Sequence, residues 1–213
     1  DLRYLRENTD VVWEKMLEHL SLSLTALAIA LPLAIVLGVL ATRVRWLTTP
    51  IVTAVSILYT IPSFAFMAFL IPEFGIGRQP AMIVLVTYAQ LFLVRNIVAG
   101  LKSVDPSILE AARGLGMNEA QLFWKVWLPL ATPVIVAGIR TALLAIIAMA
   151  TLTGYINAGG LGELMFAGIG RDYPSQVLAG VIAVAALATV TDLVMRALEL
   201  LTPVARARRH AAG

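Results

Sequence analysis

The chain has 213 residues, of which 60% are hydrophobic and only 14% charged, with a mean hydropathy of +0.87. A soluble domain carries about a quarter charged residues, so this composition in water would expose large apolar patches, whereas a lipid bilayer accommodates it. Cysteine is absent, which excludes a disulfide framework and a thiolate metal site; the net charge of +3 is small and matters by its placement, and no nucleic-acid partner is expected.

The first element in chain order is amphipathic. Val12, Trp13, Met16, Leu17 and Leu20 fall at helical spacing with Glu14, Lys15 and Glu18 opposite. This predicts a helix lying on the outer membrane face before the first span, or the remainder of a longer N-terminal segment. The opening residues contain acids and lack a basic start ahead of a short apolar core, so they do not read as a signal peptide.

Five stretches then approach the roughly 20 apolar residues that cross a bilayer. They run from about Leu20 to Thr42, Ile51 to Ile71, Ala81 to Leu101, Thr132 to Thr153 and Val177 to Leu198. The runs are continuous rather than alternating, which argues for helices over a membrane β-barrel. The first break, Arg43 to Pro50, is a basic turn, and the second, Pro72 to Pro80, is a Gly/Pro loop. No linker or repeat divides the chain, so residues 1–213 read as one transmembrane domain.

Lys and Arg orient such a chain, because basic loops are retained in the cytoplasm. Arg43, Arg45, Lys102, Arg113, Lys125, Arg206, Arg208 and Arg209 fall on one side. Arg3, Arg6, Lys15, Arg78 and Arg171 fall on the other, offset by eight acids there that include Glu18, Glu73, Glu163 and Asp172. The N-terminus is therefore expected outside and the C-terminus inside.

The connection between the third and fourth spans, about residues 105–129, is the polar exception. Asp105-Pro106 is a helix start: the carboxylate caps free N–H groups and proline is tolerated at the first helical position. Ile108, Ala112, Leu115 and Leu122 predict one apolar face. Gly116 suits a turn with positive φ, and Asn118 with Gln121 predicts a second cap. Pro129 and Pro133 mark re-entry into the membrane.

Chemistry within the chain is not in evidence. A phosphate loop needs glycines ahead of Lys-Ser/Thr, yet Leu101 precedes the only Lys-Ser pair, Lys102-Ser103, and no Lys follows Gly159-Gly160-Leu161-Gly162. His19 and His210 lie far in sequence from any nucleophile or acid constellation. No catalytic residue, cofactor site or metal site is expected, and neither a membrane enzyme nor a passive channel accounts for the cytoplasmic segment.

Glu110-Ala111-Ala112, three residues, Gly116, nine residues, then Val126-Trp127-Leu128-Pro129 resembles the EAA loop of ABC importer permeases, with Val126 where Ile is commoner. Further segments resemble the permeases of osmoprotectant importers: Arg95-Asn96, Gly100 to Pro106, Ala137 to Ala142 and Ala158 to Gly162, with Asn157 in place of the family's first Gly. The resemblance implies an all-α membrane protein of the type I importer permease kind, with five transmembrane helices, the N-terminus outside and a cytoplasmic EAA coupling loop, in a bacterial plasma membrane. It implies ATPase coupling through Glu110, Ala111, Ala112, Gly116, Leu128 and Pro129. The implied partners are cytoplasmic ATPase subunits that use ATP and Mg, a second permease subunit and an external solute-binding protein. The implied solutes are glycine betaine, carnitine, choline or proline; methionine-importer permeases share the five-span plan and part of the Gly motif.

Quaternary ammonium groups are held by aromatic faces through cation–π attraction. Tyr59 and Tyr155 are candidates for the substrate pathway, because Pro62 and Gly154 can open the helices beside them; the other aromatics read as packing or interfacial belt. Arg140 and Asp192 are charges at bilayer depth. Asp192 with Arg196 one turn later predicts an intrahelical ion pair. Arg140 reads equally as a helix anchor or a gating residue.

Overall fold

The computed structural model describes residues 2–200; Arg206, Arg208, Arg209 and His210 lie outside the described residues. All elements among the described residues are helical: α1 Arg3–Glu7, α2 Thr9–Arg43, α3 Thr48–Thr60, α4 Ser63–Phe74, α5 Arg78–Lys102, α6 Pro106–Gly114, α7 Glu119–Leu122, α8 Leu128–Thr153, α9 Gly160–Gly170 and α10 Pro174–Leu200. Four continuous helical segments are long and apolar enough to cross a membrane, and the count is five when the bent pair α3–α4 is taken as one broken span.

Small residues let the central helices approach. Ala26, Ala30, Ala34, Gly38 and Ala41 form a buried stripe on α2, packed against Leu85, Ala89, Leu93 and Ile97 of α5 and Ala142, Ile146 and Ala150 of α8. In lipid no hydrophobic driving force joins helices, so this close van der Waals packing holds them. A Cβ on Gly138 of α8 would stand 2.2 Å from the Asn96 Cβ on α5. Gly138→Val is therefore expected to cost about 1–3 kcal/mol by overpacking, read as a lower melting temperature of the detergent-solubilised chain; unchanged melting contradicts the α5–α8 contact.

Three expectations are corrected. First, the amphipathic N-terminal stretch is not a separate surface helix: it is the start of α2, a single helix of 35 residues. Trp13, Leu17 and Glu14 are exposed, but Val12 is buried and Lys15 and Glu18 turn toward α9, where Lys15 bonds Glu163 and Glu18 accepts the Gly160 N–H. Second, the span expected over 51–71 is broken, with α3 and α4 meeting at 89°. Pro62 disfavours the helical region for its predecessor, and Ile61 is extended (φ −64°, ψ 127°). Third, the helix that carries the fourth span begins well before Thr132. Pro129 has no N–H to return to the Lys125 carbonyl, and the Leu128 N–H instead reaches back five residues to Phe123. The resulting wide turn, Phe123–Trp127, joins α7 to α8 without a break, so Pro129 and Pro133 lie within continuous helix.

Candidate coupling segment and solute pathway

The cytoplasmic segment is built from local bonds. The Asp105 carboxylate accepts the Ser107 N–H at 2.9 Å, with Pro106 at the first helical position. That bond stabilises the charged form and holds the carboxyl below its usual range. At the far end of α6, Gly116 N–H donates to the Arg113 carbonyl (2.9 Å) and Met117 N–H to the Ala112 carbonyl (3.3 Å). This is a Schellman ending, with Gly116 at φ +84° where only glycine is unstrained. Asn118 and Gln121 then form the expected capping box for α7.

Side chains fasten this helix–turn–helix to itself and to the membrane core. Arg113 pairs with Glu119 at 2.8 Å across the turn. The Trp127 indole donates to the Leu101 carbonyl at the end of α5 (2.7 Å), and the Arg43 guanidinium lies over the Phe123 ring at 5.3 Å. The ends of α2, α5 and α8 are thereby tied to one platform.

The exposed face differs from the one expected. Ala112 is 6% exposed and packs into its own chain, as does Leu122, whereas Leu115 is 81% exposed and Ile108 is exposed too. Leu115 follows the last residue of α6, so helical spacing no longer governs its direction. Glu110, Ala111, Leu115 and Gly116 face outward, while Leu128 and Pro129 are half-buried in the run into α8.

At the opposite end of the bundle the Ala158-Gly159-Gly160-Leu161-Gly162 segment starts α9 against α2. Gly160 N–H donates to Glu18 Oε2 at 2.9 Å, and Lys15 bonds both Glu18 and Glu163 at 2.9 Å. A Cβ on Gly160, at φ +75°, would stand 3.0 Å from His19. His19 is fully buried and bonds the Ile147 carbonyl through Nε2 at 2.9 Å. Sequence spacing marks this clasp only locally, by Lys15 and Glu18 at i, i+3.

Around the α3–α4 break lie two ring clusters. Tyr59 stands 5.4 Å from Tyr88 and 5.5 Å from Phe92 between ring centroids; Tyr155 stands 5.7 Å from Phe64 and 5.5 Å from Phe166. The Tyr88 hydroxyl donates to the Ile61 carbonyl freed by the break. Tyr155 sits in the Gly154–Ile156 turn that ends α8 and is 65% exposed. The two candidate tyrosines are thus placed beside opened helices, in different clusters.

Arg140 and Asp192 are brought together. Arg140 Nε meets Asp192 Oδ1 at 2.6 Å and Nη1 meets Glu199 at 3.4 Å, while Arg196 holds the other Asp192 oxygen at 2.8 Å. The predicted intrahelical pair exists, but as part of a network binding α8 to α10. Arg140 is a cross-helix anchor in this arrangement.

Apolar helices long enough to cross a membrane, a capped segment at one end and a polar clasp at the other define a helical multi-span membrane protein. The family profile described as the binding-protein-dependent transport system inner membrane component matches residues 30–201, and the chain belongs to that family. It is 38% identical to the choline transport system permease protein OpuBB of Bacillus subtilis, over 95% of this chain and 94% of the relative. It is 39% identical to the carnitine transport permease protein OpuCB of Listeria monocytogenes, over 94% and 92%. Its fold matches an inward-facing structure of the MetNI methionine ABC transporter with a TM-score of 0.73, at 23% identity, over 87% of this chain and 95% of that one. The chain is an osmoprotectant-type ABC permease subunit and a multi-pass inner-membrane protein.

Proposed function

We propose that this chain forms half of the membrane pathway of an ATP-driven importer that takes up glycine betaine, carnitine, choline or proline from an external binding protein. The observation that carries the coupling role is the outward face of α6, with Glu110 and Ala111 exposed beside the rigid Gly116 turn. Glu110 offers one charge to a basic residue of an ATPase groove, and Ala111 lets the helix seat closely. Because Trp127 and Arg43 tie this platform to α5 and α2, its displacement is passed to helices of the pathway rather than absorbed in a loose loop. ATP and Mg are used by the partner ATPase, and the N-terminus lies outside. The solute class is supported by the choline and carnitine names of relatives that align over nearly the whole chain.

The test is competition for uptake into vesicles containing the chain, its ATPase and its binding protein. Betaine, carnitine, choline and proline are expected to compete and methionine is not. Competition by methionine alone transfers the chain to the amino-acid importers and leaves the coupling argument standing.

A further inference from the structure

Arg95 is a charge within the third span that no local pairing explains. It sits on α5 seven residues before the end at Lys102, about 10 Å along the helix axis. It is exposed, and no hydrogen bond or ion pair engages it among the described residues. A charge at that depth is costly in lipid and is normally paired or turned to a watery cavity. Here there is a cavity of about 350 Å³ between α3 and α5, lined by Arg95, Thr48, Thr49 and Thr53 with Val52 and Val98.

The aromatic cluster lies further along the same two helices, α3 and α5. Tyr88, Phe92, Arg95 and Ala99 are spaced to form one stripe of α5. Tyr59 of α3 lies across from Tyr88 and Phe92. Phe92 and Arg95 are about 4.5 Å apart along the axis, a separation that a short zwitterion can span. The α3 carbonyls of Tyr59 and Thr60, left at the broken helix end, accept no backbone bond among the described residues. Their partial negative charge adds to the attraction of the rings for a cation.

We propose that Arg95, with the hydroxyls of Thr49 and Thr53, forms a carboxylate subsite in the α3–α5 groove, and that Tyr59 and Phe92 hold the ammonium end of the same solute. This rests on the transport of quaternary ammonium solutes argued above. Guanidinium suits a carboxylate because it donates two parallel N–H bonds. Choline, which has no carboxylate, uses only the aromatic end.

The test is the maximal uptake rate of glycine betaine and of choline by the reconstituted complex with Arg95→Gln. Betaine transport is expected to fall about tenfold, the loss of one charge-assisted interaction, and choline transport to change less than about twofold. Equal loss for both solutes, or none for betaine, overturns the subsite. A wild-type complex that carries neither solute removes the solute assignment instead. A second measurement does not depend on choline: the given sequence has no cysteine, so with partner subunits made cysteine-free Arg95→Cys gives a single thiol. A thiol reagent that adds an ammonium group is expected to restore betaine uptake in part, and a neutral reagent of similar size is not. A thiol that reacts with neither reagent places Arg95 against lipid phosphate and overturns the proposal.

Discussion

Replacing Gly116 by valine is expected to abolish solute-stimulated ATP hydrolysis and uptake while leaving the membrane core folded. Gly116 has φ +84°, and nothing lies within 4 Å of where its Cβ would be. The cost is therefore conformational rather than steric: a β-branched residue in that region of backbone space is strained by about 1–3 kcal/mol. The turn relieves the strain by giving up the bonds from Gly116 and Met117 to the last carbonyls of α6. Once these are lost, α6 no longer keeps a set direction relative to α7, and the platform transmits motion poorly. Gly116→Asn is expected to be much milder, since Asn tolerates the left-handed region. ATPase activity and uptake in reconstituted vesicles check both variants. Full coupling in the valine variant removes the rigid turn from the mechanism.

Gly162→Ala is expected to prevent accumulation of folded chain altogether. A Cβ there would stand 2.1 Å from the Thr151 carbonyl oxygen, and a Cβ added to Gly154 would stand equally close, 2.1 Å, to the Gly162 carbonyl carbon. The obstacle on both sides is main chain, which cannot turn aside as a side chain does. The turn between α8 and α9 must open, and the Glu18–Gly160 bond and the Lys15 bridge open with it. The loss is placed at or above about 3 kcal/mol, the upper range of overpacking. Gly114→Ala is the control: it too is helical, nothing lies within 4 Å of its added Cβ, and near-normal yield is expected. Yield of monodisperse protein in detergent separates the two, and equal yields contradict the backbone contact.

Local physics made the cytoplasmic segment legible. The Asp105 cap, the Gly116 turn and the Asn118–Gln121 box involve residues two to five apart, and each is where spacing predicted it. Helical spacing misjudged the faces, however, because Leu115 lies beyond the end of α6 and Ala112 meets the chain's own core. Pro62 and Gly154 lie where helices open beside Tyr59 and Tyr155, as proline and glycine chemistry predicts. That an 89° bend follows from Pro62 depended on what α4 packs against, including Phe66 on Tyr88.

The sequence by itself determined the solvent, the apolar runs long enough to cross it and the position of the capped platform. Apolar run length, Lys/Arg asymmetry and cap chemistry all act over a few residues and need no partner. Only the tertiary structure decided which charges meet. Arg140 finds Asp192 at 52 positions' remove, Lys15 finds Glu163 at 148, and Arg95 opens onto threonines of another helix. Lipid accepts an apolar side chain in any direction but penalises an unpaired charge heavily. The long-range polar pairings therefore restrict which helix packings are allowed, and neither hydropathy nor periodicity records them.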